Sequence, residues 1–153
     1  MKENDAGTSW RWRNDPAIWV YTGLKPNIVI TEEIEKKWII EVLKRHNESR
    51  FAICAGDDRK YIGNVQLTNI TTDGAEFHIF IGDKAYRNQG LGTKATNLIL
   101  AYARKELKLS NVYLFVNEKN IAAIKTYKKC GFIDAGSVGE QLKMTKQLQK
   151  TNA

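Results

Sequence analysis

The sequence predicts an α/β (α+β) fold: one domain in which a mixed β-sheet carries helices on both faces. Three strand-like segments joined by short turns lie in the middle of the chain. The third of them and a later apolar segment are each followed by an amphipathic helix. Since 153 residues are enough to bury one core, we expect a single domain over residues 1–153.

The N-terminal third predicts two helices. Asp15-Pro16 is typical of an N-cap followed by proline at the first helical position, and predicts a short helix that ends near Gly23. Thr31 precedes apolar residues at helical spacing, which predict a second helix that runs to about His46. Residues 1–9 are too polar to form an edge strand, so we expect the strand at residues 51–55 to keep an open edge, which could pair with another subunit or be covered by the N-terminal segment.

Three strand patterns follow, at residues 51–55, 61–68 and 75–81, and predict an antiparallel meander. Between residues 93 and 108 one predicted helix face carries the apolar side chains, at Ala95, Leu98, Ile99, Tyr102 and Ala103. This helix leads to a strand pattern at residues 112–116. We expect that strand to pair in parallel with the strand that ends at Ile81.

The C-terminal part predicts one more helix and two closing strands. Asn120 is suited to cap a helix over residues 121–130, and Gly131 to end it. Residues 132–136 and 142–148 have strand patterns. We expect residues 150–153 to be frayed.

Composition favours some partners and argues against others. Lysine and arginine total 24 against 17 acidic residues, and the resulting charge of +7 favours anionic partners. Because the basic residues are scattered, without a stripe that alternates with aromatics, we expect no nucleic-acid partner. No apolar run approaches the roughly 20 residues of a membrane helix. The N-terminal residues are polar, so we expect no membrane contact and a cytoplasmic location.

The two cysteines differ too much in their surroundings to suggest a metal site or a disulfide framework. We therefore expect no bound metal, and place Cys54 and Cys130 in or near the core.

A glycine-bearing turn, Arg87-Asn88-Gln89-Gly90-Leu91-Gly92, lies between a predicted strand and a predicted helix. The first N–H groups of a helix lack partners and lie at the positive end of its dipole. Two glycines leave room for an anion such as a diphosphate to reach them. The spacing is neither G-x-G-x-x-G nor that of a G-x-x-x-x-G-K-[ST] loop. By itself the pattern R-x-x-G-x-G is also compatible with a simple tight connection.

A second pattern follows the strand at residues 112–116. The two patterns, in this order, resemble the signatures of the GNAT superfamily of acetyl-CoA-dependent N-acetyltransferases. The second signature is similar to V-N-x-x-N-x-x-A-I-x-x-Y-x-x-x-G-F, and the residues that fit it are Val116, Asn117, Asn120, Ala123, Ile124, Tyr127, Gly131 and Phe132. The resemblance covers residues 61–132. In addition, Trp12-Arg13-Asn14-Asp15-Pro16 is similar to the start of the branch that holds ribosomal-protein, aminoglycoside and amino-sugar acetyltransferases.

The resemblance implies acetyl-CoA as cosubstrate, and a role for particular residues. The pyrophosphate would lie on the backbone N–H groups of the glycine turn, and the pantetheine arm beside the backbone of the preceding strand. A backbone N–H of that strand would also stabilise charge on the carbonyl oxygen. The implied cofactor contacts are Ile79, Phe80, Ile81, Arg87, Asn88, Gln89, Gly90, Leu91, Gly92, Thr93, Asn117, Asn120 and Tyr127. Tyr127 would also protonate the coenzyme thiolate, unless it is only a core tyrosine.

Glu76 and His78 are the candidates for the general base. They alternate onto one face of the strand that leads to the glycine turn, and either could take a proton from an ammonium group. Two alternatives stay open: both are ordinary exposed strand residues, or the amine arrives already neutral.

The expected function is acetyl transfer from acetyl-CoA to a primary amine by direct attack. The expected acceptor is a small molecule such as an amino sugar or an aminoglycoside-like amine, onto which Trp10, Trp12 and Trp19 could stack. The alternatives are a protein N-terminus, as in the ribosomal-protein type, or a non-catalytic acyl-CoA-binding sensor. Self-association as a homodimer through the open sheet edge is a further expectation.

Overall fold

The computed structural model describes residues 1–22 and 24–149. The end predicted for the first helix at Gly23 and the frayed tail predicted for residues 150–153 lie outside these residues. The described part contains five α-helices: α1 (Ala6–Arg13), α2 (Pro16–Trp19), α3 (Glu32–Leu43), α4 (Leu91–Lys105) and α5 (Ile121–Lys129). Its six strands are β1 (Ser49–Ala55), β2 (Lys60–Thr68), β3 (Gly74–Ile81), β4 (Asn111–Asn117), β5 (Ile133–Val138) and β6 (Gln141–Gln147).

The strands form one mixed sheet in the order β1-β2-β3-β4-β6-β5. β1, β2 and β3 pair antiparallel, which confirms the predicted meander. β3 and β4 pair in parallel, as the helical crossover between them predicted. β6 pairs antiparallel with both β4 and β5.

Helices cover both faces of the sheet, which confirms the predicted fold class. α4 and α5 pack on one face and bury the main apolar cluster, which includes Phe77, Ile99, Leu114, Phe132 and Met144. α1 and α3 lie on the other face, where they cover β1, β2 and the end of β3 through tryptophan contacts. The part of this face formed by β4, β5 and β6 carries no helix among the described residues.

The N-terminal region differs from the prediction in three ways. Residues 1–9 form no strand, as predicted, but α1 was not predicted, because its sequence lacks a helical apolar stripe. Asp15 caps α2 by accepting a hydrogen bond from the Ala17 N–H (3.0 Å), yet the helix ends at Trp19. α3 ends at Leu43 rather than His46. The outer edge of β1 has no strand partner in the described part of the chain, so pairing with a second copy there stays a prediction.

Two burial predictions were wrong. Leu98 is 73% exposed, because the buried face of α4 is rotated toward the polar Thr96. Thr96 can be buried at little cost, since its hydroxyl donates a hydrogen bond to the Gly92 carbonyl (2.7 Å). Cys54 is exposed on the edge strand β1, whereas Cys130 is buried as predicted.

Candidate functional site

A wedge between β3 and β4 opens at the centre of the sheet. Their parallel pairing covers only three positions and ends where Glu76 lies beside Tyr113. Beyond that point β3 continues to Ile81 with β2 as its only paired neighbour among the described strands. The backbone edge that faces β4 is therefore free to pair with an extended ligand.

The glycine turn lies at the open end of this wedge. Asn88 and Gly90 both adopt the left-handed conformation (φ 59° and 76°), and Gly90 directly precedes α4. The first backbone bond of the helix runs from the Lys94 N–H to the Gly90 carbonyl (3.1 Å). In the described structure no side chain caps α4, and the N–H groups of Leu91, Gly92 and Thr93 have no acceptor.

Empty space lies in front of these N–H groups. A Cβ built on Gly92 would meet no atom within 4 Å. Unpaired N–H groups, the positive end of a 15-residue helix and this space together form a site suited to an anion. The start of α4 is thus suited to bind the pyrophosphate group of coenzyme A.

α5 forms the opposite wall of the same cleft, which has a volume of about 340 Å³. Asn120 caps α5 by accepting a hydrogen bond from the Ala123 N–H (3.3 Å). The Tyr127 ring packs edge-on against Phe77 (5.8 Å between centroids), while its hydroxyl has no hydrogen-bond partner in residues 1–22 and 24–149. Burial raises the pKa of Tyr127 to about 12, so the phenol is protonated at every physiological pH.

The cleft brings together most of the predicted cofactor residues. Those that line it are Ile79, Phe80, Ile81, Arg87, Asn88, Gly90, Leu91, Gly92, Thr93, Asn120 and Tyr127. Five further lining residues were not among the predicted contacts: Tyr86, Thr96, Ala123, Ala122 and Thr126. Helical spacing was a usable signal for Ala122 and Thr126. They are four residues apart, so they share one face of α5, and each lies next to a signature residue.

Two predicted contacts, Gln89 and Asn117, lie away from the cleft, and a third, Arg87, has an additional role. The Gln89 side chain turns away and donates to the Ala85 carbonyl (2.6 Å), and Asn117 accepts from the Lys119 N–H (2.9 Å) where β4 ends. Neither residue lines the cleft. The Arg87 guanidinium donates from Nε to the Ile81 carbonyl (2.9 Å), so it braces the end of β3 as well as lining the cleft. Their contacts with the cofactor stay predictions.

A model of the acetyltransferase (GNAT) domain matches residues 1–133 of the chain. The chain belongs to the GNAT acetyltransferase family. Probable N-acetyltransferase YjcK of Bacillus subtilis is 33% identical over 120 residues, which cover 74% of this chain and 66% of the relative. Spermidine N(1)-acetyltransferase of Escherichia coli K12 is 33% identical over 93 residues, which cover 60% of this chain and 49% of the relative. The matches thus span about half to two thirds of these curated relatives.

A solved structure shows the same fold. The spermidine N-acetyltransferase from Vibrio cholerae, in complex with CoA and spermine, superposes with a TM-score of 0.84 at 22% identity. The superposition covers 96% of this chain and 92% of that one.

Glu76 and His78 of this GNAT domain lie on the sheet face opposite to Phe77. His78 Nε2 lies 3.4 Å from Glu76 Oε1 and 3.1 Å from Thr68 Oγ1. Burial lowers the pKa of His78, and the neighbouring Glu76 opposes that shift. The structure brings the two candidate bases together, but neither lines the cleft.

An aromatic surface adjoins this pair on β4. The rings of Tyr113 and Phe115 lie 6.0 Å apart, and Phe115 is 42% exposed. The Lys143 ammonium lies 5.1 Å from the centre of the Tyr113 ring, within range of a cation–π contact. The surface therefore offers flat apolar faces and already holds one cation of its own.

Of the three tryptophans expected to stack on an acceptor, Trp12 is buried, Trp19 is hydrogen-bonded within the protein, and the Trp10 ring centre lies 5.3 Å from the Arg11 guanidinium. Stacking of Trp10 or Trp19 on an acceptor stays a prediction. Trp12 is 8% exposed and packs against Tyr61 and Phe80. The Trp19 Nε1–H donates to the Arg13 carbonyl (2.9 Å). Trp38 stacks with the guanidinium groups of Arg13 and Arg50. Trp12 is thus a core residue.

Neither a metal centre nor a membrane helix is found within the described ranges. No group of three or more histidine, cysteine, aspartate or glutamate side chains there is arranged to hold a metal ion. None of the helices described combines the length and the apolar character needed to cross a bilayer.

Proposed function

We propose that this protein transfers an acetyl group from acetyl-CoA to a small primary amine. The observation that carries the proposal is a single cleft that joins three features: the uncapped start of α4, the unpaired edge of β3 and the unpartnered hydroxyl of Tyr127. Membership of the GNAT family and the whole-chain likeness to a CoA-bound relative support it.

The cosubstrate would be held by backbone groups. The N–H groups of Leu91, Gly92 and Thr93 would bind the pyrophosphate, and the free edge of β3 at residues 79–81 would pair with the pantetheine arm. Acetyl-CoA supplies an activated acetyl group and a thiolate leaving group. A backbone N–H of the same strand is suited to donate to the carbonyl oxygen as negative charge develops on it.

Tyr127 would supply the proton that the leaving thiolate needs. Its raised pKa of about 12 keeps it protonated, and its hydroxyl has no competing partner among the described residues. A phenol this weakly acidic acts as a proton donor only when closely placed, so the packing of its ring against Phe77 and Phe132 has a direct role: it orients the hydroxyl.

His78, assisted by Glu76, would take the proton of the acceptor ammonium. Both lie on the face from which an acceptor could approach the wedge without meeting α4 or α5. The lowered pKa of His78 leaves its imidazole neutral, and able to accept a proton, at neutral pH. Thr68 and Glu76 both lie near Nε2, which leaves Nδ1 as the nitrogen available to solvent or substrate.

An amino sugar is the acceptor that this surface fits best. Tyr113 and Phe115 provide the flat faces on which sugar rings stack, while the Lys143 ammonium above them would repel the second charge of a polyamine. The E. coli relative is a spermidine N(1)-acetyltransferase, so polyamines are the natural competing class.

Two measurements test the proposal: calorimetric titration with acetyl-CoA, and thiol release with amino sugars, aminoglycosides, polyamines and N-terminal peptides. We expect binding, and release with amino sugars above all. Tyr127→Phe should lower kcat on the order of 10²- to 10⁴-fold while acetyl-CoA still binds. Tyr102→Phe is the matched control, since the Tyr102 hydroxyl lies 3.4 Å from Ser49, away from the cleft.

Other outcomes have definite meanings. Binding without release for any amine would favour the non-catalytic sensor. Release with polyamines alone would contradict the amino-sugar assignment but not the acetyl transfer. If acetyl-CoA does not bind at all, the proposed function is wrong.

A further inference from the structure

Four consecutive residues, Trp12 to Asp15, each anchor a different part of the protein. The Trp12 ring lies directly on Gly82, because a Cβ built on that glycine would fall 2.0 Å from the ring atom Cδ2. Arg13 forms an ion pair with Glu35 of α3 (3.1 Å). The sequence of this segment is similar to the start of one branch of the acetyltransferase family, yet none of its residues lines the cofactor cleft.

The other two residues extend the same junction. Asn14 clamps both backbone groups of Ile30: its Oδ1 accepts from the Ile30 N–H (2.8 Å) and its Nδ2 donates to the Ile30 carbonyl (2.7 Å). Asp15 caps α2 and forms an ion pair with Lys84 (3.2 Å), in the turn that follows β3. The segment from Trp12 to Asp15 therefore joins the helices on one sheet face to the turn that leads into the glycine loop.

The end of β3 needs such support. Past Glu76 the strand has lost β4 as a neighbour, so only one of its edges is held by a strand among those described. The Gly82 N–H donates to the Ile62 carbonyl (2.8 Å), and Arg87 donates to the carbonyls of Ile81 and Gly82 (2.9 and 3.4 Å). Trp12 covers the face of this same segment, at Phe80 and Gly82.

We propose that Trp12 is a positioning residue for the cofactor. By packing on Gly82 it fixes the end of β3 and the following turn, so that the free strand edge and the glycine loop keep the spacing that the pantetheine arm and the pyrophosphate require. Misplacement by about 1 Å at such a site can cost about a hundredfold in rate. The inference rests on the proposed function, because the ligand it concerns is acetyl-CoA.

Gly82→Ala is the sharpest perturbation. Gly82 does not adopt a left-handed φ, so alanine meets no backbone strain there, and the added methyl group acts only by displacing the Trp12 ring. We expect acetyl-CoA affinity and kcat/KM for acetyl-CoA to fall about tenfold or more, with little change in KM for the amine. Trp12→Ala should have a similar effect, because it removes the ring that packs on Gly82.

A double variant separates positioning from general damage. In Trp12→Ala/Gly82→Ala the ring that the methyl group would displace is already absent, so the second substitution should cost little more, and affinity should match that of Trp12→Ala rather than fall by the product of both effects. Trp38→Ala is the matched control, since Trp38 packs on the guanidinium groups of Arg13 and Arg50 rather than on β3. It should leave acetyl-CoA affinity unchanged.

The outcomes are separable when binding is measured well below each variant's Tm. Wild-type protein that binds acetyl-CoA, together with Gly82→Ala protein that binds it equally well, would overturn the inference and leave the proposed function intact. Strictly multiplicative losses in the double variant, or an equal loss in Trp38→Ala, would also overturn it. Wild-type protein that does not bind acetyl-CoA would refute the proposed function and the inference with it.

Discussion

Replacing Gly92 with alanine should stabilise the fold and weaken cofactor binding, two effects of opposite sign from one methyl group. Gly92 lies in the first turn of α4 without a left-handed φ, and a Cβ there meets no atom within 4 Å. Removing a helical glycine stabilises a protein by about 0.5–1 kcal/mol, since less chain entropy is lost on folding. For a domain of this size that corresponds to a Tm rise of roughly 1–4 °C.

The same methyl group would occupy the space in front of the free N–H groups of α4. If it prevents one charge-assisted hydrogen bond to a phosphate oxygen, the cost is about 1.5–3 kcal/mol, or roughly a 10- to 150-fold weaker Kd for acetyl-CoA. Scanning calorimetry measures the first effect and isothermal titration the second.

Gly7→Ala is the matched control. Gly7 is also helical, in α1, and its nearest atom is the flexible Glu32 Oε1 at 3.4 Å. It should raise Tm by a similar amount and leave acetyl-CoA affinity unchanged. Gly92→Ala protein that binds acetyl-CoA as tightly as wild type would refute the assignment of the pyrophosphate to the start of α4.

Three further predictions concern the base, a buried ion pair and acid stability. If His78 takes the proton, kcat/KM rises with pH through a pKa below the usual 6.5, and His78→Gln removes that rise; an unchanged profile would mean that the amine arrives neutral. Glu35→Gln should lower the stability to denaturant by about 1–3 kcal/mol, since Glu35 is 2% exposed and pairs with Arg13. Glu33→Gln, which removes an exposed pair with Lys37, should cost about 0.5 kcal/mol or less, and equal effects would contradict the reasoning. The Ala17 N–H and the Lys84 ammonium hold the pKa of Asp15 below its usual 3.8, so its contribution is present above that pH and is lost as the pH falls through the lowered value. Asp15→Asn keeps the cap, and should cost at most about 1 kcal/mol at pH 7, with a difference from wild type that shrinks as the pH falls below 3.8; a difference that grows toward acid would be the wrong sign.

The cleft that would hold the cofactor was largely predictable, because it is built from neighbours in the chain. A strand, a turn with a left-handed glycine and a helix follow one another between residues 75 and 105, and a phosphate needs little more than that. The caps at Asp15, Thr31 and Asn120 could be predicted for the same reason: each bonds to an N–H two or three residues along the chain.

The positions of individual side chains on those elements were less predictable. Leu98 was assigned to the core by helical spacing, yet the surrounding strands determine which side of α4 is buried. Gln89 was predicted to contact the cofactor because it lies in the glycine turn, but its side-chain amide donates a hydrogen bond to the Ala85 carbonyl instead. Spacing identifies a face only to within a neighbouring residue, because one helical position is about a quarter of a turn.

By itself the sequence determined the meander, the parallel crossover, the glycine loop and the helix that carries Tyr127, since each depends on residues close together in the chain. Only the tertiary structure decided where β3 leaves β4, that Glu76 meets His78 away from the cleft, and that Trp12 lies on Gly82 rather than on a substrate. These features join segments far apart in sequence. Their geometry follows from packing density and from the pairing of polar groups across the whole core, which no local pattern records.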